Sequence, residues 1–316
     1  LVSKDVSSAF VTAEILLREG RFEDAQNLLK EASQDFAIDD FKFYELEGRV
    51  LVGLEEYERS LISFSKMLSA ASNNTQRSAA HYHMGIAFYE ADRLSESIAS
   101  MERSLIADPN STKTLGTIVD LLLKADDAVR AKALINDFNA RNNNQQSYVL
   151  TLQGNVENYL GETSAAIMSF GEAYQIEPAS WDVGIVATDL MRKQGQYIDA
   201  LSALQEINQQ HPDNKIVSFK LALTKQQMGR LQDAKIAYED LIQGFPDWSI
   251  LHLNLSEVLI DLEDVDAAIK HARESVRLTP KLFSSQLNLA KLALHTKSKD
   301  LAKSAVLAAL EIRPDS

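Results

Sequence analysis

The sequence predicts an all-α fold, a solenoid of about nine helix–turn–helix units of close to 34 residues each, spanning residues 1–316. Three observations predict it. Pro178, Pro212, Pro246, Pro280 and Pro314 stand 34 residues apart, and Pro109 lies two such steps and one residue before Pro178. Small residues recur at two fixed places in the same register. A short turn pattern recurs between those two places.

With proline set at position 32, the units start at Val6, Phe41, Ser78, Thr112, Ser147, Trp181, Lys215, Ser249 and Phe283. Position 20 is then Ala25, Ser60, Ser97, Ala131, Ala166, Ala200, Ala234, Ala268 and Ala302. Position 8 is Ala13, Gly48, Gly85, Val119, Gly154, Thr188, Ala222, Ser256 and Ala290. Small side chains let two helix backbones approach closely, so these are the expected crossing points of a helical hairpin.

Taken in chain order, the first unit shows its turn as REGRFEDA with Gly20, and the second as GLEEYERS with Glu55 in place of that glycine. The third reads AAHYHMGIAFYEADRLSESIASMERSLIADPN, with Gly85, Phe88, Met101 and Pro109 in register. The fourth, residues 112–145, departs most: TIVDLLLKADDAVRAKALINDFNARNNN has neither turn glycine nor proline, which puts its packing in question. The fifth returns to pattern with YLGETSAA and Gly161, and the sixth and seventh follow with KQGQYIDA and QMGRLQDA. In SVRLTPKLF, Pro280 closes the eighth unit and Phe283 opens the ninth. Glycine at position 15 supplies the left-handed backbone that ends a helix cheaply. An acid or serine just before position 20 favours the next helix start. Proline stops the second helix, and Asp, Asn or Ser after it caps the following unit.

A single hairpin of two short helices buries too little apolar surface to offset the entropy of ordering it, whereas stacked neighbours bury a continuous core. The open apolar ends of such a stack imply truncation, further repeats or self-association through the C-terminal end.

Composition narrows the function classes. Apolar residues make up 45% and charged residues 24%, which fits neither a disordered nor a membrane-embedded chain. A run of apolar residues long enough for a membrane span is absent from the sequence. With no cysteine there is no disulfide, thiolate zinc site or cysteine nucleophile. A net charge of −13 opposes a nucleic-acid surface. The chain opens at Leu1 rather than Met, which fits a removed leader or an excised fragment and leaves cytoplasm and bacterial envelope both open.

Motifs for chemistry are missing, so no catalytic, cofactor or metal residue is expected. The histidines of HYH, His81 and His83, face different ways on a helix and cannot share a metal. His211, His252, His271 and His295 read as surface or packing residues. The acidic pairs Asp39 with Asp40, Glu55 with Glu56 and Asp126 with Asp127 read as solvated turns. Trp181 and Trp248 follow repeat prolines and should cover unit junctions. Asn73 and Asn110 head glycosylation-type triplets, a pattern common by chance.

The register resembles the tetratricopeptide repeat family, with its small residues at positions 8 and 20, an aromatic or Leu at 24 and Pro at 32. The resemblance covers essentially the whole chain and implies a right-handed α-α superhelix. In length and acidity it also resembles bacterial members of the exopolysaccharide and PEP-CTERM-associated type, which gives a second reading in polymer assembly or export. A third is an accessory domain of a larger enzyme.

By family precedent, a non-enzymatic scaffold of this kind binds a protein or peptide segment along its concave face, on positions 2, 5, 9, 12 and 13 of each first helix. Those positions hold eight acids and eight bases in this chain, a mixture unsuited to a polyanion or polycation. The fifth unit carries Tyr148, Thr151, Asn155, Asn158 and Tyr159 there, all uncharged. The sixth adds Asp182, Asp189, Arg192 and Lys193, and the seventh Phe219 and Gln226. Tyrosines and amides offer stiff contact area and hydrogen bonds to a peptide backbone or sugar. The carboxylate clamp of family co-chaperones is not present: Asn155 has Thr151 rather than Lys before it.

Overall fold

The computed structural model describes residues 6–35, 40–142 and 146–315. The described residues form helices in consecutive pairs, each pair joined by a three-residue turn. In order they are α1 (Val6–Arg18) with α2 (Phe22–Asp35), α3 (Phe41–Gly53) with α4 (Tyr57–Ser69), and α5 (Asn74–Glu90) with α6 (Leu94–Ala107). Next come α7 (Thr112–Lys124) with α8 (Ala128–Arg141), α9 (Ser147–Tyr159) with α10 (Thr163–Ile176), and α11 (Trp181–Lys193) with α12 (Tyr197–Gln210). The last three pairs are α13 (Lys215–Gln227) with α14 (Leu231–Gly244), α15 (Ser249–Asp261) with α16 (Val265–Leu278), and α17 (Phe283–His295) with α18 (Lys299–Ile312). The chain divides into two compact units, residues 1–169 and 170–316, with the division inside α10.

Eight of the nine first helices begin on the residue that the proline register gives as a unit start. The exception is α5, which begins at Asn74 instead of Ser78. Asn73 explains the extra turn, because its side chain accepts from the Gln76 amide at 2.9 Å while Gln76 Oε1 accepts from the Ser72 amide at 2.7 Å. That is a capping box in all but one residue of register.

Positions 8 and 20 are buried in all nine units. Contact there is tight: a Cβ on Gly48 would lie 2.3 Å from the Phe64 ring, and one on Gly85 would lie 2.8 Å from the Met101 methyl. Phe64, Met101, Ile135, Phe170, Leu204 and Tyr238, all at position 24, fill the space beside these crossings and are almost fully buried. In the first compact unit the largest apolar cluster joins Met101, Leu115, Ile118, Leu122, Ile135 and Phe138. Its counterpart in the second joins Tyr238, Leu251, Leu255, Leu259 and Leu289.

The residue at position 15 is left-handed in every unit. Gly20, Gly161, Gly195 and Gly229 have φ of 72–76°, and Glu55, Asp92, Asp126, Glu263 and Lys297 have φ of 58–66°. The first helix closes as a Schellman turn, with Arg21 N donating to Leu16 O at 2.9 Å and Gly20 N to Leu17 O at 3.2 Å. The second helix already begins at position 17, so the acid at position 19 lies inside its first turn and not before it. There it favours the helix dipole and holds the arginine three residues back, as in Arg21 with Asp24 at 2.6 Å and Arg230 with Asp233 at 2.5 Å.

The fourth unit keeps the same geometry without a turn glycine or a proline. Asp126 takes the left-handed conformation, Asp127 accepts from the Arg130 amide at 3.2 Å, and Ala131, Ile135 and Phe138 are buried as in other units. Where proline is present it follows the last turn; Ser111 and Asn214 cap the next helix beyond Pro109 and Pro212, whereas Ser180, Trp248 and Leu282 beyond Pro178, Pro246 and Pro280 make no side-chain cap, contrary to the expectation. His211 N bonds back to Ile207 O at 2.9 Å, and Asn214 Oδ1 accepts from the Ile216 amide at 3.0 Å. Asp40 caps α3 through the Lys42 amide at 2.6 Å; its sequence partner Asp39 lies outside the described residues.

Candidate functional site

Several polar side chains at first-helix positions 2, 5, 9, 12 and 13 are tied together between neighbouring helix pairs. In the first compact unit, Glu14 of α1 meets Arg49 at 3.0 Å and Lys42 at 3.3 Å, and both cations also reach Glu45 of their own helix. Burial acts to raise the Glu14 carboxyl, but the Arg49 bond and the charges of Arg49 and Lys42 outweigh it and hold the group below its usual range. Further along, Lys113 stands 4.2 Å over the Tyr82 ring and Lys124 4.4 Å over Tyr89. Tyr82 and Tyr89 occupy positions 5 and 12 and so belong to the same surface; a reading that weighed only charges there passes over them.

The residues of α9 fall into two groups. Tyr148 and Tyr159 are half exposed, and each is anchored to the preceding pair of helices. The Tyr148 hydroxyl rests on Gly116, where a Cβ would come within 2.0 Å, and burial, then Asp120, pushes the phenol up. Tyr159 donates to Asp126 Oδ1 at 2.7 Å, and that bond raises its phenol. Thr151 donates to Ser147 O of its own helix at 2.9 Å, while Asn155 and Asn158 are exposed.

In the second compact unit, Asp182 is exposed in the first turn of α11. Asp189 is shared by Arg192 at 2.5 Å and Lys220 at 2.6 Å, and Arg192 Nε also donates to Gln227 at 2.7 Å. Lys193 is exposed beside them, and together they line a hollow of about 210 Å³. Phe219 points elsewhere: its ring packs 5.3 Å from Trp248 and 6.3 Å from Tyr238, inside the apolar cluster. Gln226 accepts from the Tyr238 hydroxyl at 2.8 Å and borders a second hollow of about 430 Å³ with Glu257, Asp261, Asn288 and Lys291. Both hollows are lined by first helices alone, α11 with α13 in one and α13, α15 and α17 in the other.

The tryptophans cover apolar clusters as the sequence suggests, Trp181 against Tyr174 and Leu204 and Trp248 against Phe219. The histidines prove more specific. His83 stacks on Phe64 at 5.4 Å, and burial drives it down to about 4. His252 and His271 face each other across α15 and α16, Nδ1 to Nδ1 at 2.9 Å, with His252 Nε2 on Pro246 O at 2.9 Å. Nineteen residues separate the two in sequence, and only the fixed crossing of the helix pair brings them together. Among the described residues no cluster of three or more His, Asp or Glu could hold a metal, and no helix is long and apolar enough to cross a membrane.

Paired helices repeated in register within each compact unit define a helical-repeat protein. Residues 191–253 match a tetratricopeptide repeat family model, and the described helix pairs keep the same register on either side of that stretch. Solved structures similar to it include a tetratricopeptide repeat protein from Parabacteroides merdae, 12% identical, with a TM-score of 0.48 over 80% of this chain and 98% of that one. MamA 41-end from Desulfovibrio magneticus RS-1 is 18% identical, with a TM-score of 0.47 over 54% of this chain and 96% of that one. A MamA RS-1 double mutant is likewise 18% identical, with a TM-score of 0.46 over 52% and 93%. No curated protein matches the sequence.

Proposed function

We propose that residues 1–316 are a non-enzymatic scaffold that docks protein or peptide segments on its first helices, the candidate contacts being Tyr148, Asn155 and Asn158 in one compact unit and Asp189, Arg192 and Lys193 in the other. One observation carries this reading: two hollows of the second unit are lined only by first helices, and mainly by charged and amide side chains. A packing surface would have been apolar there. Self-association is a second mode, supported by the exposed Leu294, Leu307 and Leu310 of α17 and α18.

The test is panning of a random dodecapeptide phage library on the purified chain, followed by affinity measurements with the selected peptides. Tyr148→Ala with Asn155→Ala, or Lys193→Ala with Arg192→Ala, should weaken binding, whereas Ile198→Ser on the outer side of α12 should not. Binding that ignores both first-helix pairs and fails with Ile198→Ser contradicts the reading, as does turnover of a substrate by the chain alone.

A further inference from the structure

Most carboxylates on the first-helix face are already neutralised. Glu14 and Glu45 share Lys42 and Arg49, and Asp189 has both Arg192 and Lys220. Glu257 and Asp261 of α15 differ. They are one helical turn apart, on one side of α15, where like charges repel. Among the described residues neither closes an ion pair within 4.0 Å, and Lys291 across the hollow closes none either. Burial pushes the Glu257 carboxyl up against the opposing effects of Gln226 and Lys291, and the Asp261 charge adds a smaller push in the same direction as burial.

The hollow they share, about 430 Å³, has ample room for a long side chain, and its lining holds two carboxylates against one ammonium. Asn288, whose amide nitrogen donates to Ser256, adds an amide oxygen that accepts hydrogen bonds. A guanidinium or ammonium entering here would end the repulsion between Glu257 and Asp261 and replace the lost solvation of Glu257. An incoming carboxylate would meet two charges of its own sign.

The hollow on α11 and α13 has the opposite balance. There a single carboxylate, Asp189, serves Arg192 and Lys220, and Lys193 stands beside them without an ion pair among the described residues. Three cations face one anion, so this end favours an acidic group.

We infer that the segment bound by residues 170–316 is dipolar, seating a lysine or arginine side chain between Glu257 and Asp261 and an acidic side chain at Arg192, Lys193 and Lys220. The inference rests on the proposed scaffold reading and specifies what that scaffold reads. The order of charge along α11, α13, α15 and α17 also fixes the direction in which the segment lies.

The random dodecapeptide phage library tests it on the full chain. Peptides enriched on the unaltered protein should carry both a basic and an acidic residue. Glu257→Gln with Asp261→Asn should abolish the basic preference and weaken a selected peptide about tenfold, while keeping the acidic preference. Arg192→Gln with Lys193→Gln should do the reverse. Since the whole chain is acidic, Asp199→Asn with Asp266→Asn on second helices serves as the control and should change neither preference. Circular dichroism melts confirm that each variant is folded. Enriched peptides without a basic preference, or a preference equally reduced by the control pair, overturn the inference and leave the scaffold reading standing. Failure to enrich any peptide overturns both.

Discussion

Glu263→Gly should stabilise the protein. Glu263 holds the turn between α15 and α16 at φ 66°, with its side chain in solvent. A left-handed backbone costs an L-residue about 1–2 kcal/mol, and glycine returns roughly 0.5–1 kcal/mol of that through the entropy of the unfolded chain. The net gain is about 0.5–1 kcal/mol, and Glu55→Gly and Lys297→Gly should match it. Asp126→Gly should gain little, because it also removes the acceptor of the 2.7 Å bond from Tyr159. The reverse change isolates the backbone term: around Gly20, Gly195 and Gly229 nothing lies within 4 Å of a new Cβ, so alanine there meets no steric obstacle and costs about 1 kcal/mol from φ alone. Urea unfolding followed by circular dichroism reads each change, as a midpoint shift of about 0.25–0.5 M for a slope near 2 kcal/mol/M. Because stability in a repeat array is partly local, hydrogen exchange in α15 and α16 should report the same gain. A Glu263→Ala protein as stable as Glu263→Gly would refute the reasoning, since alanine removes the carboxylate but keeps the strain.

Gly48→Ala should destabilise by about 1–3 kcal/mol, because the new methyl meets the rigid, buried Phe64 ring; Gly85→Ala, which meets the flexible end of Met101, should cost less, and thermal melts rank the two. His83 should make stability fall in acid. Its proton affinity drops from 6.5 to about 4 on folding, through burial above all, with Glu45 opposing and Arg49, Lys113 and Lys42 assisting. Its contribution is therefore complete above pH 6.5 and is lost as pH falls through 4, amounting to about 3 kcal/mol at roughly 1.4 kcal/mol per unit. His83→Phe should keep the stack on Phe64 and flatten that part of the stability–pH curve; an unchanged curve would show that His83 is not its source.

The helix pairs were legible because each is imposed by a local rule written into single residues. Gly195 can adopt what the turn needs, Ala200 alone allows the crossing, and Pro212 cannot continue the helix. Even the fourth unit followed once Asp126 took the place of a glycine, a substitution sequence patterns disfavour but neighbouring packing tolerates. The polar surface was legible by position and not by pairing. Register places Asp189 and Arg192 together on α11, yet their bonds to Lys220 and Gln227 depend on side chains 31 and 35 residues away. Phe219 shows the limit from the other side: position 5 suggested the open face, while an aromatic ring gains more by packing on Trp248. The His252–His271 pair carries no signal in spacing, since neither residue type nor local pattern marks a contact made only by the helix crossing.

Carboxyl footprinting of the chain with and without a selected dodecapeptide tests the central claim most directly, because it reads side chains on the two faces in one experiment. Protection of Asp182, Asp189, Glu257 and Asp261 on first helices, with Asp199, Asp233 and Asp266 on second helices still reactive, is the predicted result. Protection confined to Asp199, Asp233 and Asp266 would place the partner on the outer face and contradict the account.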